Sequence, residues 1–142
     1  MIVDDDPFIR DVLQDICVEC GWDAIGVATG PEAIAAVRMQ RIEFAIVDFY
    51  LKDGDALPVL HGLRAIRPTM PVVVVTGRPG EDVTTASMAA GAVGVIAKPC
   101  TLAEIADVLE RYQTIKIAGI KLFAVHGRRE RARMDRLLLV EP

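Results

Sequence analysis

Four short apolar runs punctuate the first hundred residues, and each ends in a polar or charged residue. Ile2-Val3 runs into Asp4-Asp5-Asp6-Pro7, Phe44 to Val47 into Asp48, Val72 to Val75 into Thr76, and Val93 to Ala97 into Lys98-Pro99. Short continuous runs rich in β-branched residues predict strands buried on both faces. A weaker strand is predicted over Asp23 to Val27. Between the strands the period changes to three and four. Ile9, Val12, Leu13, Ile16 and Cys17 give one face of a helix that opens at Pro7 and ends at Gly21. Ala33, Ile34, Ala36 and Val37 form a second face after Thr29-Gly30-Pro31-Glu32, where a polar residue ahead of an early proline marks a helix start. Further helices are predicted from about Ala56 to Arg67, stopped by Pro68, and from about Glu81 to Ala90. A last one, capped by Thr101, carries Leu102, Ile105, Ala106, Val108 and Leu109.

Five strands alternating with five helices over residues 1–112 predict an α/β fold of the flavodoxin-like kind. Its doubly wound five-stranded parallel sheet has each right-handed crossover placing a helix on one face or the other. The rhythm stops there. Residues 113–142 read as a C-terminal extension, with a strand-like run from Ile115 to Val125, an arginine-rich stretch of helical propensity from Gly127 to Arg136, and a second strand pattern in Leu137 to Val140. Apolar strands seek an edge to pair with, so the extension is expected to pack on the domain or to mediate a homodimer.

Composition narrows the function classes. A chain of 142 residues, 52% hydrophobic and 25% charged, fits one globular domain with a small appendage. The net charge of -4 is unevenly spread: residues 113–142 hold seven Lys/Arg against three acids. The body is therefore strongly acidic, which argues against nucleic-acid binding by the main domain. The longest uncharged stretch, Val83 to Ala97, contains Gly91 and Gly94 and falls short of the roughly 20 apolar residues a membrane span needs. Acids from Asp4 onward do not match a signal peptide, so no membrane association and a cytoplasmic location are expected. Cys17 and Cys20 form a C-x-x-C, but they lie in a helical pattern without a second ligand pair, and read as small helix residues rather than a zinc or redox site.

Parallel strands share a carboxyl edge, and ligands of open α/β sheets bind outside it. Asp4, Asp5, Asp48, Thr76 and Lys98 are thereby expected in one site. Three carboxylates repel one another unless protonated or bridged by a divalent cation, and oxygen-only ligation with few protein carboxylates suits Mg²⁺. A carboxylate nucleophile surrounded by metal, ammonium and hydroxyl matches what phosphoryl transfer to an aspartate requires. Asp6 before Pro7 reads as a helix cap, and Asp53 and Asp55 as a loop end and a helix start.

On these residues the chain resembles the receiver domain of two-component response regulators. The likeness covers residues 1 to about 112 and rests on Val3-Asp4-Asp5-Asp6-Pro7 with Arg10, Val47-Asp48 with Leu51 and Gly54, Val75-Thr76-Gly77, and Ala97-Lys98-Pro99. The resemblance implies that Asp48 is the phosphoacceptor and that Asp5 binds Mg²⁺ directly, with Asp4 assisting through water and the Tyr50 carbonyl as a third ligand. It implies that Thr76 is the switch hydroxyl and Lys98 the phosphoryl-contacting cation, before a peptide bond to Pro99 that is cis in the family. A sensor histidine kinase or a phosphotransfer protein would supply the phosphoryl group, and a downstream protein target would read the switch. Three features depart from the family. Val95 stands where Tyr or Phe is usual three residues before the lysine, Lys52 stands where a proline is common, and only Met1, Ile2 and Val3 precede Asp4.

Two other functions fit parts of this pattern. A receiver-like adaptor working without phosphorylation is suggested by the missing aromatic at Val95, and would take no label at Asp48. A metal-dependent phosphatase acting through an aspartyl-phosphate usually needs an acid two residues beyond the nucleophile, where this chain has Tyr50.

Overall fold

The structure, a computed structural model, describes residues 1–116. In chain order its elements are β1 (Ile2–Val3), α1 (Pro7–Glu19), β2 (Gly26–Val27), α2 (Gly30–Met39), β3 (Ala45–Asp48), β4 (Tyr50–Leu51), β5 (Gly54–Asp55), α3 (Leu57–Ile66), β6 (Val72–Thr76), α4 (Glu81–Ala89), β7 (Gly94–Ala97) and α5 (Leu102–Lys116). Five strands form one parallel sheet in the order β2-β1-β3-β6-β7. The doubly wound sheet with five helices is the architecture expected from the sequence. Among the described residues no helix is long and apolar enough to cross a membrane.

Alternation along the strands builds two cores. Val3, Val47, Val72 and Val74 join Ala33, Val37, Leu60, Leu63 and Val83 from α2, α3 and α4 on one face. Ile2, Ile46, Val73, Val75 and Ile96 meet Leu13, Cys17 and Ile105 from α1 and α5 on the other. Successive side chains of a strand point to opposite faces, which explains why the valine run of β6 is apolar at every position.

The helix ends follow local chemistry. The Asp6 carboxylate accepts from the Phe8 and Ile9 N–H groups at the start of α1, as expected for a cap. At its other end Gly21 takes φ +82°, the left-handed conformation that favours glycine. The Thr29 hydroxyl caps α2, and Asp55 accepts from Leu57 N–H at the entry to α3.

Several boundaries differ from expectation. The strand expected over Asp23 to Val27 pairs only at Gly26 and Val27. The segment after Asp48 is no simple loop, because β4 and β5 form an antiparallel pair turning on Gly54 at φ +135°. α5 runs on to Lys116, so the apolar run read as a strand from Ile115 begins inside a helix. The rest of that run, the arginine-rich stretch and Leu137 to Val140 lie outside the described residues.

Ile46 is fully buried on β3, between β1 and β6. Ile46→Ala is expected to lower the unfolding free energy by about 2–5 kcal/mol, read from the urea midpoint at unchanged denaturant slope.

Candidate functional site

The strand register brings four polar residues to one edge. Asp4 follows β1, Asp48 closes β3, Thr76 closes β6 and Lys98 follows β7. Val3 lies opposite Val47, Asp48 opposite Val75, and Thr76 opposite Ala97. Asp4 is fully buried. Its Oδ1 accepts from Asp6 N–H at 2.9 Å, and its carbonyl accepts from the Arg10 guanidinium at 2.7 Å. The run of three aspartates therefore divides its work: Asp6 caps α1, Asp4 turns inward, and Asp5 is left half-buried at the rim.

Lys98 joins the carboxylates. Its Nζ lies 2.7 Å from Asp4 Oδ2 and 3.3 Å from Asp48 Oδ2. Burial works against the ammonium, but the hydrogen bond to Asp4 and the nearby Asp48 charge outweigh it and hold the Lys98 pKa above the ordinary lysine value. Burial pushes Asp48 the other way for an acid, and its carboxyl stays above the ordinary value although Lys98 opposes the shift; the Asp4 charge adds to it. One ammonium shared between two carboxylates does not offset both. Asp4, Asp5 and Asp48 each offer an oxygen within 4.8 Å of the others. This all-oxygen donor set, short of positive charge, fits a hard divalent cation such as Mg²⁺.

Thr76 is fully buried, and its Oγ1 accepts from Arg78 N–H at 3.1 Å. Its carbonyl accepts from Lys98 N–H at 2.8 Å, which ties the ends of β6 and β7 together. The Lys98–Pro99 peptide bond is cis. Tyr50 is 44% exposed on β4. Its backbone N–H favours the charged form of Asp48. The structure thus brings Asp4, Asp5, Asp48 and Lys98 into direct proximity, with Thr76 at the end of the strand beside Asp48.

Two arginines make side-chain contacts at this edge that the sequence does not show. Arg10, quoted only as part of a motif, clamps the Asp4 carbonyl. Arg78 lies over the Tyr50 ring, with its guanidinium carbon 5.4 Å from the centroid. Periodicity carries no signal for either contact. Cys17 and Cys20 are both buried and neither is in a disulfide, and burial pushes the Cys17 thiol up to about 11. Among the described residues the aspartates are the only metal-competent cluster.

A model of the response regulator receiver domain matches residues 1–110. The chain belongs to that family. It is 31% identical over 105 residues to the probable transcriptional regulatory protein TcrX of Mycobacterium tuberculosis, covering 74% of this chain and 45% of TcrX. It is 27% identical over 116 residues to sporulation initiation phosphotransferase F of Bacillus subtilis, covering 82% of this chain and 94% of that protein. Among solved structures, a CheY-like receiver domain protein from Methanospirillum hungatei shares 28% identity at a TM-score of 0.75, covering 83% of this chain and 95% of that one. The receiver thus spans less than half the length of TcrX and nearly all of the sporulation protein. Receiver domains are phosphorylation switches that bind Mg²⁺ at an acidic pocket.

The raised pKa of Asp48 has a consequence for stability. A carboxyl that binds its proton more tightly folded than unfolded loses stabilisation as pH rises from the ordinary carboxylate range, near 3.8, through the folded value. With chelator present, Asp48→Asn is expected to raise the thermal midpoint of the receiver at neutral pH. The gain should shrink as pH falls through the raised folded value toward the ordinary carboxylate range, because the wild-type carboxyl then takes up its proton. Melting curves across that range check it, and a loss at neutral pH would contradict it.

Proposed function

We propose that this receiver accepts a phosphoryl group on Asp48 from a sensor histidine kinase or a phosphotransfer protein, and that the modified domain switches contacts with a downstream protein. The observation that carries the reading is the Lys98 ammonium held against both Asp4 and Asp48 at the carboxyl edge. Near-complete coverage of sporulation initiation phosphotransferase F supports it.

Each residue has a chemical part. Asp48 supplies the attacking oxygen. Lys98 offsets negative charge on the phosphoryl oxygens. The Thr76 hydroxyl accepts from Arg78 N–H, which leaves its own proton free to donate to a phosphoryl oxygen. Asp5 and Asp48, with Asp4 and the Tyr50 carbonyl, would hold Mg²⁺, which neutralises charge between acceptor and donor when bound. The transfer replaces a single carboxylate charge with about -1.5 to -2. We assign the receiver to residues 1–112, with α5 continuing to Lys116, and the remainder to an extension that packs on the domain or joins two copies.

Incubation with Mg²⁺ and acetyl phosphate, followed by intact-mass and peptide analysis, is expected to find one base-labile phosphoryl group on Asp48 and none in Asp48→Asn. Equal labelling of the variant would remove Asp48 from the role. A chain that takes no label would instead favour an adaptor that works without phosphorylation.

Mg²⁺ should also raise the melting temperature by relieving repulsion within the cluster. A single site at a hundredfold excess over its dissociation constant contributes about 2.7 kcal/mol. Asp5→Ala is expected to remove most of that rise, and an undiminished response would place the ion elsewhere.

A further inference from the structure

We propose that Arg78 is a second phosphoryl-contacting cation of this site, held ready on the face of Tyr50 until a phosphodonor arrives. The inference rests on the reading of Asp48 as phosphoacceptor.

The charge balance motivates it. Asp4, Asp5 and Asp48 carry three negative charges against the single ammonium of Lys98. A divalent cation brings the cluster to neutrality and leaves no net positive charge for the oxygens of an arriving phosphoryl group. Lys98 is already engaged, more closely with Asp4 than with Asp48. Arg78 is exposed and makes no ion pair with any carboxylate among the described residues.

Position follows from topology. Tyr50, on β4, lies two residues beyond Asp48, and Arg78, on the loop after β6, two beyond Thr76, and β3 and β6 are neighbouring strands. The Arg78–Tyr50 contact therefore joins the two segments that leave Asp48 and Thr76. Both partners are anchored. Tyr50 packs edge-on against buried Phe49 at 4.9 Å between ring centroids, and the Arg78 N–H is fixed on Thr76 Oγ1. An exposed cation on a ring face is held more weakly than one in a charge-assisted hydrogen bond, and the planar guanidinium fork matches two phosphoryl oxygens. Phosphoryl oxygens would draw Arg78 from the ring. In transfer from acetyl phosphate, an Asp48 oxygen forms a bond to phosphorus as the bond from phosphorus to the acetate oxygen breaks, and acetate leaves with that electron pair. Arg78 exchanges no proton and offsets charge on the oxygens that stay.

The test is the initial rate of Asp48 labelling against acetyl phosphate concentration, using the full chain with Mg²⁺. Arg78→Ala is expected to lower the rate below saturation by roughly five- to tenfold, the loss of one charge-assisted hydrogen bond, and Arg78→Lys to recover part of it. Tyr50→Phe, which keeps the ring face, should retain more rate than Tyr50→Leu. Each variant's Mg²⁺-dependent melting shift reports whether the metal site is intact. Wild-type rates in Arg78→Ala, equal losses in the two Tyr50 variants, or an Arg78→Ala loss that tracks a lost Mg²⁺ shift would each overturn the proposal. A wild-type chain unlabelled at Asp48 would overturn the phosphoacceptor reading and this one with it.

Discussion

The ammonium of Lys98 is the constraint on which this edge depends. Asp4 is wholly buried, and a buried carboxylate is costly unless it is paired and hydrogen-bonded. Its partner comes from the far side of the sheet, because the order β1-β3-β6-β7 places two strands between Asp4 and the strand that delivers Lys98. The side chain must pass over the end of β6, which closes on the small residue Thr76. Lys98 N–H bonded to the Thr76 carbonyl sets where that side chain departs. Sheet order, strand length and the identity of the last residue of β6 are thus tied to one ion pair.

The same register that places the charges also divides the core. A slip of one residue between β3 and β6 would put Ile46 and Val73, which now share a face, on opposite faces and carry Asp48 away from Val75. With both faces filled by helices, such a slip would disrupt two cores at once. A site assembled from single residues on separate strands holds its geometry without any local motif, since packing behind it permits only one alignment.

That dependence explains what could be read from the chain. The apolar runs of β3, β6 and β7 were legible because fully buried strands leave a continuous signal. Their terminal Asp48, Thr76 and Lys98 were legible because parallel strands end on one side. β2 was overestimated, since only Gly26 and Val27 find partners on β1, itself two residues long. The β4–β5 pair escaped notice because Tyr50-Leu51 and Gly54-Asp55 are too short for a periodic signal and pair only with each other. Contacts between distant residues had no signature either. The closeness of Lys98 to Asp4 rather than to Asp48, and the placing of Arg78 on Tyr50, depend on side-chain paths above the sheet, which hydrophobic pattern does not encode.

Moving a two-state equilibrium from 1:99 to 99:1 takes about 5.5 kcal/mol of differential interaction, and the response goes to whichever element is least committed to the core. Val95, half-buried against the face formed by α2, α3 and α4, has no ring to swing. The loop after Thr76 is exposed over Gly77 to Pro79 and leads into α4. That helix starts at Gly80 without a side-chain cap and buries only Val83 and Ser87 along its length. α3, by contrast, buries Val59, Leu60 and Leu63. Additional charge at Asp48, drawing on the Thr76 hydroxyl, would act first on the loop that Arg78 N–H ties to that hydroxyl. Because α4 has a thinner apolar face than α3, displacing it costs less than displacing α3.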